Sequence, residues 1–222
     1  MYQNIFFDIR KMKMHVWDDL KGHLEIPFRK YAYVKDSNGQ HVSLYGDRLK
    51  RVTQYDKDDP TLHESDIPPM TRFLVDQYGD SDEASTGHRT MFFDIEVEVT
   101  EGFPDVQKAQ NPITSIALYD CTTETYFTYC FDPHKRIEDY TKGDEVVEFY
   151  ETEYEMLNKF FQKYLEIRPT ILSGWNSEFF DIPYLYNRAV RVLGPELANL
   201  LSPISQVIYS EYKKKHTIAG VS

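Results

Sequence analysis

Cysteine is scarce in this chain, and neither cysteine lies in a recognisable pattern. Only Cys121 and Cys130 occur among 222 residues, with no Cys-x-x-Cys spacing and no histidine cluster beside them. Disulfide scaffolds and zinc sites need more such residues in characteristic spacings. We therefore expect two reduced thiols with structural roles, as in an intracellular protein.

The sequence also lacks an excess of positive charge and a long apolar run. It has 25 basic and 36 acidic residues, a formal net charge of −11. This balance argues against a broad, non-specific nucleic-acid clamp, which must neutralise phosphates, but not against an enzyme that holds divalent metal ions with carboxylates. No stretch is long enough to span a membrane, and residues 1–19 do not have a signal-peptide pattern. We expect a soluble cytoplasmic protein.

What the chain has is a globular composition, with 41% hydrophobic and 15% aromatic residues. Its first third is predicted to be β-rich, with strands at residues 2–9, 12–17, 28–34 and 40–45. The last two flank Asp36-Ser37-Asn38-Gly39, which predicts a hairpin because Asn-Gly tolerates positive φ. Residues 54–69 and 79–89 are polar and are expected to be loops, the second of them a domain boundary.

From Thr90 onward the pattern predicts the order β-β-β-α-β-α. The strands are expected at 91–99, 113–120, 125–131 and 170–176, and the second helix at 181–193 with Pro183 in its first turn. Thr152 and Glu155 form a capping box in front of the first helix, which Pro169 ends. Three strands and a helix that crosses to a fourth strand open an RNase H-like α/β fold.

The tetrapeptide FFDI occurs three times, at Phe6–Ile9, Phe92–Ile95 and Phe179–Ile182. Only the second copy is followed by another acid, so that Asp94 and Glu96 project from one strand face. Such a pair is tolerated when it is solvated or when a divalent cation lies between the carboxylates. An exposed strand edge gives the same pattern, so these two residues alone do not distinguish a metal site from a solvated edge.

In the third copy, Asp181 follows a predicted strand and begins a predicted helix. It could be a simple helix N-cap, since aspartate accepts helical N–H bonds well. Alternatively, it could lie beside the strand of Asp94 and Glu96 as a third metal ligand. The first copy is followed by Arg10 and is interpreted as a structural strand, with Asp8 paired to a nearby base.

The combination of FDIE (93–96) and NSEFFD (176–181) resembles the proofreading 3′→5′ exonuclease of family B DNA polymerases. That family has the motifs D-I-E and N-x-x-x-F-D. The strings EGFPD (101–105), NPI (111–113), GWNSEFFDIPYLYNR (174–188) and LSP (201–203) are similar to the branch from T-even-type bacteriophages. The resemblance is strong over 90–203 and fainter over 1–89. It implies a DEDD exonuclease domain of RNase H-like fold over 90–222, after a β-rich N-terminal domain over 1–89.

The resemblance implies hydrolysis of the 3′ end of single-stranded DNA with two Mg²⁺ or Mn²⁺ ions, about 4 Å apart. Asp94, Glu96 and Asp181 would be the catalytic metal ligands. Phe103 would stack on the unpaired end, and Asn176 and Phe180 would line the site. Otherwise Phe103 is a loop aromatic folded onto the core, Asn176 a turn former and Phe180 a core residue.

The family's fourth carboxylate, in a Tyr-x-x-x-Asp motif, has no match after Asp181. Three pairs with that spacing precede Asp181 and so have the wrong order: Tyr55/Asp59, Tyr78/Asp82 and Tyr140/Asp144. Residues 78–82 (YGDSD) are similar to the family's polymerase motif Y-G-D-T-D. However, they precede the exonuclease motifs, and we interpret them as an acidic turn.

Residues 216–222 (HTIAGVS) predict a strand that is cut short. We therefore expect an exonuclease domain truncated before its third motif, from an engineered fragment or a split gene. It would be inactive or weak without the remaining polymerase segment. Its setting would be the cytoplasm of a bacterial host, with phage replication proteins as further candidate partners. The alternatives are a free-standing exonuclease of the same fold and a non-catalytic nucleic-acid-binding or assembly module.

Overall fold

The computed structural model describes residues 1–99 and 102–208. It divides the chain into two compact units, which meet in sequence between His88 and Arg89. The strand expected at 216–222 lies outside the described residues. Among those described, no helix is long and apolar enough to cross a membrane.

The first unit contains two small antiparallel sheets and one helix. Its elements are β1 (Tyr2–Asp8), β2 (Lys13–Asp18), β3 (Gly22–Pro27), β4 (Ala32–Lys35), β5 (His41–Val42), β6 (Arg48–Val52) and α1 (Pro69–Tyr78). Strands β1, β2 and β3 form one sheet, and its apolar face packs with Phe28 and with Phe73 of α1 around Met14 and Val16. The region is rich in strands, as predicted, and β1 and β2 lie close to their predicted bounds. However, β4 begins four residues later than the predicted strand 28–34, and β3 and β6 were not predicted.

The predicted pairing of the two strands around Asn38-Gly39 is wrong. Strands β4 and β5 both pair with β6, which lies between them in the order β4-β6-β5. The turn itself forms, because the carboxylate of Asp36 accepts the N–H of Asn38 at 2.8 Å. Its Gly39 lies against the backbone of Leu49, where a Cβ would be only 2.3 Å from the carbonyl oxygen. After the turn, the chain therefore lies against β6 and pairs with it, and not with β4.

Helix α1 was not predicted, because the prolines at 68 and 69 favoured a loop. Pro69 is instead the first helical residue, where its missing N–H is not needed. At the other end, Tyr78 donates its hydroxyl hydrogen to Asp18 at 3.1 Å. The YGDSD segment thus consists of the end of α1 and the residues after it, which agrees with its interpretation as an acidic turn.

The second unit is built on a six-stranded mixed sheet with the order β10-β11-β9-β8-β7-β12. Its strands are β7 (Thr90–Val97), β8 (Ile113–Asp120), β9 (Thr125–Phe131), β10 (Tyr140–Lys142), β11 (Glu145–Tyr150) and β12 (Ile171–Ser173). Strands β7, β8 and β9 form an antiparallel meander, and β12 pairs in parallel with β7. The predicted β-β-β-α-β order is therefore present, with two further strands inserted before the helix.

Neither of those two strands was predicted, and for β10 the reason is local. β10 is short and fully exposed, so it has no apolar alternation to detect. It forms a hairpin with β11, which pairs in parallel with β9. The predicted strand over 170–176 is also too long: β12 ends at Ser173, and Trp175 is 92% exposed.

Helices α2 (Glu153–Ile167), α3 (Asp181–Val192) and α4 (Pro195–Ala198) complete the second unit, with a short 3-10 helix at Asn199–Leu201. The capping box of α2 is confirmed, since the Thr152 hydroxyl accepts the N–H of Glu155 at 3.2 Å. The core between α2, α3 and the sheet includes Met91, Ile116, Leu157, Phe160 and Leu185, all nearly inaccessible to solvent. Cys121 and Cys130 are free thiols, as expected.

Candidate active site

The exposed face of β7 carries two carboxylates, as the alternation predicts. Met91, Phe93 and Ile95 are buried, whereas Asp94 and Glu96 are exposed. Strand β12 pairs with β7 only as far as Phe92, opposite Ser173. Beyond that point, the edge of β7 that bears the two acids is left open for the segment after β12.

A tight turn occupies this open edge. Its first residue, Gly174, lies against β7 so closely that a Cβ would be 2.3 Å from the carbonyl oxygen of Phe93. Asn176 adopts a left-handed conformation with φ of 56°, which asparagine tolerates better than most residues. Its carbonyl accepts the N–H groups of Phe179 and Phe180, both at 3.0 Å. The turn therefore brings the start of α3 directly beside β7.

Asp181, the first residue of α3, places its carboxylate between the two acids of β7. Its Oδ1 accepts the backbone N–H of Ile95 at 3.2 Å, and Ile95 lies between Asp94 and Glu96 in the chain. The N-cap residue of α3 is Phe180, and Asp181 is the first residue inside the helix. The simple N-cap interpretation of Asp181 is therefore wrong, and its carboxylate lies against the strand that carries Asp94 and Glu96.

The surroundings of Asp181 disfavour its negative charge. Burial raises the pKa of this carboxyl group, and the charges of Asp94 and Glu96 raise it further, against the lowering effect of the Ile95 N–H. The side chain is only 3% exposed. A cation at this edge would relieve both the burial cost and the repulsion.

The donor set fits a hard divalent cation, because Mg²⁺ and Mn²⁺ prefer carboxylate oxygens. As the side chains stand, however, the described residues contain no group of three Asp, Glu, His or Cys that could hold an ion. Asp94 and Glu96 are exposed, whereas Asp181 is buried and bonded to the N–H of Ile95. Closure of the cluster would therefore come from the two β7 side chains.

The other predicted site residues lie around the same edge. Phe103 is 80% exposed, and its ring contacts that of Phe180 with centroids 5.1 Å apart. The alternative that Phe103 folds onto the core does not describe this position. Phe180 contacts Tyr184 in turn at 5.5 Å and packs against the core. Asn176 is exposed and forms the turn, which agrees with its alternative interpretation as a turn former.

Sequence reasoning missed three exposed aromatic residues beside the acids. Phe92 is 47% exposed on the face of Asp94, and Trp175 and Phe179 of the turn are 92% and 63% exposed. Trp175 falls within the strand predicted over 170–176, but it lies beyond the end of β12 at Ser173. The signal that could have identified the turn was Gly174, which often marks a close approach of two backbone segments.

A buried ion pair near the site was also missed. The guanidinium of Arg188 on α3 donates two hydrogen bonds to the carboxylate of Glu153, the first residue of α2, at 2.8 and 2.6 Å. The same carboxylate accepts the N–H of Ile113 at 2.8 Å. This cluster joins α2, α3 and β8.

Comparison with known proteins identifies the family of this fold and site. The sequence profile of the DNA polymerase family B exonuclease domain matches residues 77–218. The chain therefore belongs to the family B DNA polymerases, and its second unit falls within their RNase H-like α/β exonuclease region. The resemblance to the T-even-type phage branch is confirmed.

The relatives include the DNA-directed DNA polymerases of Escherichia phage RB69 and Enterobacteria phage T4. The first is 34% identical over 138 residues, 52% of this chain and 15% of the relative. The second is 31% identical over 157 residues, 57% of this chain and 17% of the relative. DNA polymerase 1 of Sulfurisphaera ohwakuensis is 30% identical over 133 residues, 59% of this chain and 13% of the relative. The alignments thus span about one sixth or less of these relatives' lengths.

Proposed function

We propose that this chain contributes the 3′→5′ proofreading exonuclease of a phage replicative DNA polymerase, acting on single-stranded DNA ends. The observation that carries the proposal is the position of Asp181, whose carboxylate bonds the backbone between Asp94 and Glu96. An ordinary helix start would not place a buried acid against two others. The family match supports the same assignment.

In this proposal, Asp94, Glu96 and Asp181 hold two Mg²⁺ or Mn²⁺ ions. Such ions, when bound, activate the attacking water and stabilise the leaving 3′ oxygen. Asp94 would contact both ions, Glu96 the one on the nucleophile side, and Asp181 would supply a fixed third carboxylate. The exposed ring of Phe103 would stack on the terminal base, while Asn176 and Phe180 shape the turn beside it.

Within the proposal, residues 90–222 are the exonuclease domain and residues 1–89 a β-rich N-terminal domain. The partners would be the 3′ end of single-stranded DNA and the remaining polymerase segment, covalent or as a separate chain. Phage replication proteins are further candidate partners, and the setting would be the cytoplasm of a bacterial host. Without the fourth carboxylate of the family we expect weak hydrolysis by this chain.

The alternative is a non-catalytic nucleic-acid-binding or assembly module of a split polymerase. One observation favours it: no three acids of the described chain are grouped as a ready metal site. In that case the carboxylates would not bind an ion even with DNA present.

Shortening of a 5′-labelled single-stranded oligonucleotide with Mn²⁺ tests the proposal. We expect slow shortening that Asp94→Ala reduces at least about 100-fold, since one ligand of both ions is lost. Glu98→Gln is the matched control, because Glu98 is an exposed acid next to the site with no assigned role. Shortening that survives Asp94→Ala would contradict the proposal. No shortening, together with no Mn²⁺ binding, would favour the non-catalytic module.

A further inference from the structure

The segment that follows Phe103 is held by one face of α3. We call residues 105–111 the tethered loop; they lie between β7 and β8, two residues after Phe103. Pro104 joins the two parts, and its ring fixes one backbone angle.

Four side chains of α3 donate hydrogen bonds to five backbone carbonyls of the tethered loop. They are spaced at i, i+3, i+4 and i+7, and so share one helix face. The bonds are Asn187 to Val106 (2.9 Å), Arg191 to Lys108 (3.3 Å), Arg188 to Ala109 and Gln110 (3.1 and 2.7 Å), and Tyr184 to Asn111 (2.8 Å).

The tethered loop also has internal order. The carboxylate of Asp105 accepts the N–H groups of Gln107 and Lys108, at 2.9 and 3.0 Å, and the N–H of Ala109 bonds the Asp105 carbonyl at 2.8 Å. Ala109 is fully buried. A loop with so many satisfied backbone groups is rigid, although it has no regular secondary structure.

The face of α3 that holds the loop belongs to the helix that Asp181 begins. Tyr184 bonds the loop through its hydroxyl, and its ring contacts Phe180, which in turn contacts Phe103. Asp181 and Phe103 are therefore both linked to α3, Asp181 as its first residue and Phe103 through the ring of Phe180 and the loop that follows it.

We propose that Asn187 and Arg188 are positioning residues, which set Phe103 at a fixed place relative to Asp181 so that a stacked 3′-terminal base meets the carboxylates. This inference rests on the proposed function, because it assumes a nucleotide end at the site. Neither residue touches the DNA in this account. They act through the tethered loop, and loss of one bond lowers the fraction of molecules whose loop is correctly placed.

The test is binding of a single-stranded oligonucleotide with 2-aminopurine as its 3′-terminal base, in EDTA so that hydrolysis does not interfere. We expect stacking on Phe103 to quench the fluorescence of this base. We expect Phe103→Ala to weaken binding about tenfold, from the typical value of a base stacked on an aromatic. Asn187→Ala should weaken binding less, by about threefold. A loss of this size corresponds to about one third of the molecules keeping the loop in place.

A double-mutant cycle separates positioning from general damage. Because Asn187 acts only through Phe103, Asn187→Ala should have no further effect in the Phe103→Ala background. The matched control is Asn158→Ala, which removes the same kind of amide-to-carbonyl bond, from Asn158 to Tyr154 on α2. That control should bind like the wild type. Amide exchange should become faster at residues 105–111 in Asn187→Ala and stay unchanged in α3.

Three outcomes are distinct. Wild-type binding by Asn187→Ala, or a loss that multiplies with that of Phe103→Ala, would overturn the positioning role alone. Intact quenching with hydrolysis that does not depend on Asp94 would overturn the proposed function alone. A wild-type chain that does not quench the terminal base at all would contradict both.

Discussion

Asp8 and Asp181 stand in identical FFDI tetrapeptides and are similarly buried, with 6% and 3% of each residue exposed. Burial acts to raise the pKa of Asp8, but hydrogen bonds from the N–H groups of Lys11 and Arg10 and the charge of Lys11 outweigh it, and the pKa is lowered. Asp181 has the Ile95 N–H and faces two other acids, and its pKa is raised. The same letters and similar exposed fractions thus accompany opposite shifts of the carboxyl pKa, in part because Asp181 lies deeper in the structure than Asp8.

The difference separates a buried acid whose charge is stabilised by its own turn from one whose charge is disfavoured by its surroundings. Asp8 is satisfied within its own turn, with Arg10 and Lys11 donating at 3.0 and 3.1 Å. Asp181 has no basic side chain among the groups that shift its pKa. The charges of Asp94 and Glu96 raise that pKa instead. The exposed fraction alone would not have separated the two residues.

A third buried acid, Glu153, extends the comparison and gives the largest expected effect. Its partner Arg188 is 13% exposed, and removal of one member of a buried pair usually costs about 3–5 kcal/mol. We expect Arg188→Met to lower the free energy of unfolding by about this amount in urea. The control is Arg136→Met, since Arg136 pairs with Asp132 but is 73% exposed and should cost below about 1 kcal/mol. Equal losses in both variants would refute the role of burial.

The approach of the third FFDI copy to the second depends on Gly174. A Cβ at this position would meet the carbonyl of Phe93 at 2.3 Å, so the backbone must move. We expect Gly174→Ala to destabilise the second unit by about 1–3 kcal/mol. It should also speed amide exchange at Ile95, because the Asp181 carboxylate would move away from the Ile95 N–H that it accepts. Unchanged exchange at Ile95 would show that the turn does not hold Asp181 in place.

Neutralising the two aspartates should change stability in opposite directions. In the absence of divalent ions, Asp181→Asn keeps a hydrogen-bond acceptor for Ile95 and removes a repelled charge. It should therefore raise the free energy of unfolding by about 0.5–1 kcal/mol, the scale of one screened charge interaction. Asp8→Asn loses favourable contacts and should lower the free energy of unfolding. Urea titrations check both, and changes of the same sign would break the comparison.

The contribution of Asp8 should also depend on pH. Because its pKa is lower in the folded chain than the ordinary value of 3.8, the unfolded state binds the proton more readily. The contribution is therefore present above pH 3.8 and is lost as the pH falls through the lowered value. The stability gap between the wild type and Asp8→Asn should shrink below pH 3.8. Asp80→Asn, at an exposed acid, is the control, and a gap that is constant with pH would contradict the assignment.

Much of the second unit follows from local pattern. Alternation along β7 places Asp94 and Glu96 on one face, and the capping box and Pro183 define the starts of α2 and α3. These features depend on residues that are close in sequence, so a single chain reveals them. The bond from Ile95 to Asp181 joins residues 86 apart, and no local rule predicts it.

The errors have the same origin. β6 separates β4 from β5 through pairings that the Asn-Gly turn does not encode. β10 is too short and too exposed to show a period, and Trp175 was assigned to a strand that ends two residues earlier. The ion pair of Glu153 and Arg188 likewise depends on two helices that meet only in the folded unit.

The central claim is that Asp94, Glu96 and Asp181 bind divalent cations together, whereas the acid of the first FFDI copy does not. Calorimetric titration with Mn²⁺ of the wild type, Asp181→Asn and Asp8→Asn tests it most directly. We predict binding by the wild type, equal binding by Asp8→Asn, and an affinity at least about tenfold weaker for Asp181→Asn, since even groups that only support metal ligands usually contribute that much. Equal affinities in Asp181→Asn and the wild type would contradict the claim.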